Sequence, residues 1–316
     1  MKEIQAIEYI STKLVCEKLK IQPSTLRKYA SMLDEKAKTE FYFTRDDSNN
    51  RVYTKEDIFA QLEAMGAPRD GMVIMHSSLR LVGKVEGGAE ALLDILIEYF
   101  TEKGGLFCVP AHTWRNLRKE KLLDMTDSET SLGAFSNIAA ADGRGVRSEN
   151  PPHSTVVFGA RKRAEELVRD ELWVKSGTSP QSLYGKLYER GGYVLLVGVA
   201  QDRNTYLHAV DEILGVPNRI TSEPREVAVK RATGEIVKTK LCTHYTTFTK
   251  DISRRFPRFE TAFRYHGAIK DGFLGNAPAQ LCDARIMKET MELIFKNYGG
   301  DPLEGEYEII APKYFV

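Results

Sequence analysis

The sequence predicts an α/β fold with a central mixed sheet flanked by helices, preceded by a small winged helix-turn-helix. Three observations carry this. From about residue 54 onward, short β-branched apolar runs alternate with amphipathic helical stretches. Polar residues gather just after the strand-like runs, as in His76-Ser77-Ser78 and His112-Thr113, where open α/β sheets place ligands. Residues 1–58 follow a different pattern, two short helical stretches and then two strand-like runs.

Taken in order, Ser11-Thr12 caps a short helix over Lys13 to Leu19, and Pro23-Ser24 opens a second helix running to about Asp34. The two make a helix-turn-helix, with Arg27 and Lys28 near the exposed start of the second helix. Phe41-Tyr42-Phe43 and Arg51-Val52-Tyr53 read as a β-wing around Asp46 to Asn50. This front segment resembles the N-terminal winged helix of the mercury-resistance-regulator (MerR) family. The matching stretches are Ser11-Thr12, Pro23 to Tyr29 and Asn50 to Ile58. The resemblance implies DNA contact through Arg27, Lys28 and Arg51; the other reading is an appendage that packs or dimerises. Its balanced charge weighs against DNA, because a DNA reader usually presents a basic face.

The second domain, residues 59–316, opens within a helix from Thr54 to about Met65 that overlaps the join. Met72 to Met75 reads as a strand delivering His76 to Arg80, and Gly83 and Gly87-Gly88 lead into a helix over Ala89 to Thr101. A glycine-spaced loop before a helix offers backbone N–H groups to an anion. Leu106 to Val109 is the next strand, and Thr155 to Phe158 another, preceded by Pro152-His153-Ser154. Tyr193 to Val199, bounded by glycines, is a buried strand. The helix after it, Thr205 to Leu214, carries His208 one turn in. Asp211 and Glu212, three and four residues further on, can each share its face. A histidine there suits a general base whose tautomer a carboxylate fixes, or a buried histidine that serves stability. A hairpin turns about Thr233-Gly234, Cys242 to Phe248 extends the sheet, and Asp283 to Asn297 is the last helix.

Composition narrows the class. The chain has 316 residues, 42% hydrophobic and 28% charged, with a net charge of +1, so no overall field points to nucleic acid or to a membrane. Four scattered cysteines form no CxxC pair, and no apolar run reaches the length of a membrane span. The expectation is a cytoplasmic protein with reduced thiols. His76, His112, His153 and His208 lack close ligand spacing such as HxH or HExxH, so no metal is expected. No G-x-S-x-G elbow supports a covalent serine mechanism.

From about Thr54 to Lys296 the chain resembles the aminoglycoside 3-N-acetyltransferases. The matching pieces, in family order, are His76-Ser77-Ser78-Leu79 with Gly83 and Gly87-Gly88, then Pro110 with His112-Thr113. Arg147-Ser148, Pro152-His153-Ser154 and Gly159 follow, then Gly198-Val199, Asn204-Thr205 and His208, and finally His266-Gly267 with Gly272, Gly275 and Ala277. The resemblance implies direct acetyl transfer from acetyl-coenzyme A (acetyl-CoA) to a small-molecule amine, with His208 as the base. The family usually carries Glu three residues after that histidine; here Asp211 holds the position and Glu212 follows. The donor groove falls to His76, Ser77, Ser78, Leu79, Arg80 and Gly83 by the same likeness, with Thr205 and the Ser77-Ser78 loop as thioester-oxygen donors. His153 either shapes the acceptor pocket, supports the base, or is simply packed. The polar stretch from Arg115 to Arg147 reads as a helix over Leu132 to Ala140 with the rest as loop, and it departs from the resistance enzymes. A polycationic acceptor needs carboxylates, for which Asp124, Asp127 and Glu149 are candidates, as against a solvated surface. Two functional classes stay open: an acetyltransferase acting on an aminoglycoside or another amine, and a DNA-binding regulator whose large domain senses a ligand without turnover. Either is compatible with a homodimer.

Overall fold

The structure is a computed structural model. It describes residues 51–127, 129–244, 252–304 and 309–316, with Cys16, Lys20, Gln22, Ser24, Thr25, Thr44 and Arg45. In chain order the first elements are β1 (Thr44–Arg45), β2 (Arg51–Tyr53), α1 (Lys55–Ala64), β3 (Met72–Ser77), α2 (Leu79–Val82), β4 (Lys84–Val85) and α3 (Gly88–Thr101). β5 (Leu106–Pro110), α4 (Trp114–Glu120), β6 (Leu122–Asp124), α5 (Ala134–Ala141), β7 (Val146–Arg147), β8 (Thr155–Phe158), α6 (Arg161–Val168) and α7 (Leu183–Glu189) come next. The rest are β9 (Tyr193–Val197), α8 (Tyr206–Ile213), β10 (Arg225–Lys230), β11 (Ile236–Leu241), α9 (Glu260–Tyr265), β12 (Ile269–Leu274), β13 (Ala277–Asp283) and α10 (Ala284–Tyr298).

A seven-stranded sheet among the described residues has the order β12-β13-β9-β3-β5-β8-β7. β3 pairs parallel with both β5 and β9, while the outer strands run antiparallel. The mixed sheet predicted from the sequence is therefore present, parallel at its centre. Its strands are apolar on both faces because both faces are covered. Met72 and Ile74 of β3 pack with Leu106, Cys108, Val194 and Leu196 against α7, α8 and α10. Val73 and Met75 pack with Phe107, Val109, Leu195 and Val197 against α1 and α3. Period-two side-chain alternation thus sorts each strand into two cores.

The helix expected from Thr54 spans Lys55–Ala64, with Thr54 as its N-cap. Its hydroxyl accepts from the Asp57 N–H at 3.2 Å, and Asp57 Oδ2 accepts from the Thr54 N–H at 2.8 Å. The domain boundary drawn at residue 58 falls inside this helix, and Tyr53, Ile58 and Leu62 are buried in the main core. Of the expected wing, the strand Arg51–Tyr53 is present and pairs through Arg51 and Val52 with Arg45 and Thr44, whereas the other expected strand, Phe41-Tyr42-Phe43, lies outside the described residues. Most of the rest of the anticipated front domain, Arg27 and Lys28 included, lies outside the described residues. So does the stretch after His244 that was expected to extend the sheet. Between β5 and α5, a helix and a strand, α4 and β6, occupy a stretch read as polar loop.

A second sheet, β11-β10-β6, is anchored by the small cluster of Leu123, Leu172 and Val229. The hairpin β10–β11 matters for the site because the chain leaving β11 makes bridges at Cys242 to Ser176 and at His244 to Ile220. No helix among the described residues is long and apolar enough to cross a membrane.

Candidate active site

The parallel strands β3, β5 and β9 direct their C-terminal ends to one side of the sheet, and each leads to a histidine. His76 is the next-to-last residue of β3, His112 lies two residues past β5, and β9 leads through a short 3-10 turn to α8 and His208. Asn204 sets the entry to α8. It is buried, its Oδ1 accepts from the Tyr206 N–H at 3.2 Å, and its Nδ2 donates to Gln201 Oε1 at 2.9 Å. Tyr206 then fixes the helix from within, donating its hydroxyl to the Ala284 carbonyl at 2.7 Å.

Five imidazoles form a continuous chain. His76 lies 6.4 Å from His112 between ring centroids, His112 lies 4.7 Å from His153, and His153 lies 5.1 Å from His244. His244 stacks on His208 at 4.0 Å with 22° between planes, and Phe256 closes the far side of His208 edge-on at 4.8 Å. The Nε2 of His112 is 2.8 Å from the Tyr184 hydroxyl. Gly177 makes room for His153, since a Cβ there would lie 2.2 Å from Nδ1 of that ring. Among the described residues no three of these or other His, Cys, Asp or Glu side chains are grouped as metal ligands.

The electrostatics keep four of these rings neutral. Burial pushes His76 down to about 4. Burial lowers His112, His153 and His208 well below the usual 6.5, and neighbouring histidines add to the effect. Arg219 depresses His208 further. A neutral imidazole keeps a lone pair, so His208, which is half-buried, can accept a proton at neutral pH.

The two candidate carboxylates do different things, and neither bonds directly to His208. Asp211 is fully buried and accepts from Arg219 Nε at 2.6 Å, while Arg219 Nη1 also reaches Asp301 at 2.7 Å. Glu212 accepts from Ser176 Oγ at 2.6 Å and from Thr178 Oγ1 at 2.6 Å. Thr178 Oγ1 is also 2.7 Å from His244 Nε2. A hydroxyl has one proton, so if Thr178 donates to Glu212 it must accept from His244. That assigns the Nε2–H tautomer to His244 and runs a polar line from Glu212 through Thr178 to the ring under His208. His244 escaped sequence reading because nothing marks it: it stands alone beyond a hairpin, with no motif spacing to His208.

The other predicted residues fall as follows. Ser77 is the last residue of β3, paired with Val197, and the Ser78 N–H donates to the Val197 carbonyl at 2.8 Å. That amide is therefore engaged, so of the donors expected from this loop, backbone N–H or hydroxyl, Ser78 is left with its hydroxyl, which makes no cap to α2. Leu79 and Arg80 form the first turn of α2, with Arg80 exposed. Gly83, Gly87 and Gly88 have φ of +85°, +76° and +85°, and all three are exposed. The start of α3 carries no side-chain cap, so its first amides can meet a phosphate, and the exposed Lys84 precedes them in the loop. Thr205 is the buried N-cap of α8.

Asp124 and Glu149, expected to face a cationic acceptor, are tied elsewhere. Asp124 is 2.8 Å from Lys230 and is pulled down to about 2 by that bond and by Thr126. Glu149 holds Arg231 through two bonds of 2.7 and 2.8 Å. Both pairs pin the β10–β11 hairpin. Asp127 turns its own loop, accepting from the Glu129 N–H at 2.8 Å. Arg51 is part of β2, opposite Arg45.

A layered α/β sheet with a neutral imidazole at its strand ends and a glycine-rich turn before α3 suits transfer of an acyl group carried on a phosphorylated donor. The sequence matches the family profile described as aminoglycoside 3-N-acetyltransferase over residues 74–296, more than half of the chain. The chain belongs to the aminoglycoside 3-N-acetyltransferase family, and by that membership it is an acetyltransferase whose donor is acetyl-CoA. It is 29% identical over 178 residues to the SPbeta prophage-derived aminoglycoside N(3')-acetyltransferase-like protein YokD of Bacillus subtilis (strain 168), covering 50% of this chain and 64% of that relative. With aminoglycoside N(3)-acetyltransferase IV of Salmonella sp it shares 27% over 252 residues, 79% of this chain and 89% of the relative. The crystal structure of YokD superposes with a TM-score of 0.60 at 25% identity, over 76% of this chain and 97% of that one. That of AAC-IIIb, in binary complex with CoASH, gives 0.64 at 22% identity, over 79% and 99%, a likeness of fold.

Proposed function

We propose that the chain N-acetylates an amine of an aminoglycoside directly from acetyl-CoA, with His208 as the general base. The observation that carries this reading is the half-buried His208 ring, neutral and stacked on an imidazole that Glu212 reaches through Thr178. The amine nitrogen attacks the thioester carbonyl as His208 takes its proton. The tetrahedral oxyanion collapses, the C–S bond breaks, and the thiolate of coenzyme A leaves with the proton that His208 returns.

His208 becomes an imidazolium during attack, and the stacked His244 governs how well that charge is tolerated. With Nε2–H of His244 held toward Thr178 and Glu212, the carboxylate's negative charge is relayed to the pair. This is the service that the sequence assigned to a carboxylate beside His208, carried out at one remove. Asp211 holds α8 in place through Arg219. His153, wedged between His112 and His244, fixes the angle of the His244 ring. The glycine-rich turn and α3 receive the donor's phosphates, with Lys84 and Arg80 adding charge. The acceptor is assigned on family membership, because Asp124 and Glu149 already hold cations of the chain itself.

The test is release of free thiol from acetyl-CoA against a panel of aminoglycosides and simple amines, with wild type and His208→Ala. Wild type should turn over an aminoglycoside, and the variant should lose roughly 10²–10⁴-fold in turnover while still binding coenzyme A. A variant as fast as wild type removes His208 from the base role. Turnover of simple amines alone replaces the acceptor and leaves the mechanism standing.

A further inference from the structure

The strand β4 lies in the middle of the glycine-rich loop, between Gly83 and Gly87, yet it does not join the main sheet. Its partner is β2, in parallel register, Val52 with Lys84 and Tyr53 with Val85. The Glu86 N–H then donates to the Tyr53 carbonyl at 3.0 Å. Residues ahead of the α/β core therefore form one wall of the loop.

A second set of bonds holds the loop from the opposite end of the sequence. The buried Tyr53 donates its hydroxyl to Asn276 Oδ1 at 2.7 Å. Asn276 donates its backbone N–H to the Val82 carbonyl at 2.8 Å, and its Nδ2 would lie 2.3 Å from a Cβ on Gly83. The buried Gln61 of α1 grips the neighbouring residue twice: its Oε1 accepts from the Gly275 N–H at 2.7 Å, and its Nε2 donates to the Gly275 carbonyl at 3.2 Å. Gly275 has φ +61°, and a Cβ there would lie 2.2 Å from the Val82 carbonyl. The β12–β13 turn is thus pressed against Val82 and Gly83 by two buried polar side chains, neither of which reaches the imidazole chain.

We infer that Tyr53, Gln61 and Asn276 are positioning residues for the donor: they clamp the Gly83–Gly88 loop in the shape that receives the phosphates of acetyl-CoA, and through β2 they couple donor binding to the β1–β2 strand pair. This rests on the reading of that loop as the donor's site. The clamp sets where the loop amides point, so weakening it disperses the amides and costs donor affinity, while the base and the acceptor side are untouched.

Two measurements on the intact chain decide it. Tyr53→Phe keeps the ring and removes only the hydroxyl, and should raise KM for acetyl-CoA about threefold to tenfold, the worth of one buried hydrogen bond. Its kcat and its KM for the amine should not change. Gln61→Met, which keeps length and shape, should give the same split. The second measurement is amide hydrogen exchange with and without coenzyme A. Slowed exchange is expected at Gly83–Gly88 and, together with it, at Arg51–Tyr53 and Gly275–Asn276. Slowing at the loop alone, with an unchanged KM in both variants, overturns the clamp and leaves the donor site standing. No slowing at the loop overturns both. A lowered Tm with an unmoved KM marks Tyr53 as merely structural and overturns the inference as well.

Discussion

Two carboxylates stand side by side on α8, and the fold gives them different partners. Asp211 faces the interior, where burial lifts its carboxyl to about 7 against the pull of Arg219. Glu212 faces Ser176 and Thr178, and burial raises it while those hydroxyls hold it down. Their amide variants should therefore separate cleanly. Asp211→Asn weakens a buried ion pair, so it should lower stability by about 1–3 kcal/mol and leave kcat of the folded enzyme close to wild type. Glu212→Gln keeps the acceptor oxygen and loses the charge behind Thr178. It should keep its Tm, lose roughly tenfold or more in kcat, and move the pH dependence of kcat. Thermal melts and pH–rate profiles of both variants check this; equal kcat losses in the two would break the proposed line to His244. At this scale the sequence exposed His208 and the two acids but not their wiring. Spacing on a helix places Asp211 and Glu212 near one face, whereas their bonds depend on Arg219, Ser176 and Thr178, which arrive from other segments.

At the scale of elements, the sequence was most informative where one physical rule acts alone. Tyr193–Val197 is apolar throughout because helices cover both of its faces, and that pattern needs no tertiary knowledge to see. α4 and β6 were missed because α4 shows no apolar stripe, and β6 exists through its parallel pairing with β10, more than a hundred residues on. α1 was visible through its cap but assigned across a domain join. Its capping box and its buried Ile58 and Leu62 make it part of the main core. Thr54→Ala removes the acceptor for the Asp57 amide and should cost about 1 kcal/mol. The main thermal transition should move down by roughly 2 °C. If α1 instead belonged to a separately melting front unit, the main transition would stay where it is and only a minor one would shift.

The fold as a whole keeps four of its histidines unprotonated, with a consequence for acid stability. His76, His112, His153 and His208 are all held below 6.5 in the fold, mainly by burial. An unfolded chain takes up those protons near pH 6.5, whereas the folded one refuses them, so these groups remove stability as pH falls below 6.5. Glu171 and Asp211 act in the opposite sense. Burial raises each to about 7, so the folded chain binds their protons first and gains stability as pH falls from 7 toward 4. The four histidines outnumber the three carboxylates that burial raises, Glu171, Asp211 and Glu212, so near pH 5 the unfolded chain holds more protons than the folded one. Unfolding free energy should then drop by about 1–2 kcal/mol per pH unit between pH 6 and pH 5. Urea melts at pH 7, 6 and 5 with a constant slope m measure this directly. A stability that holds level or rises over that range would mean that the folded imidazoles accept protons there, and a charged His208 cannot serve as the base. On the proposed mechanism, acid sensitivity and catalysis have one cause: the burial that keeps a lone pair on His208 at neutral pH is what the unfolded state relieves in acid.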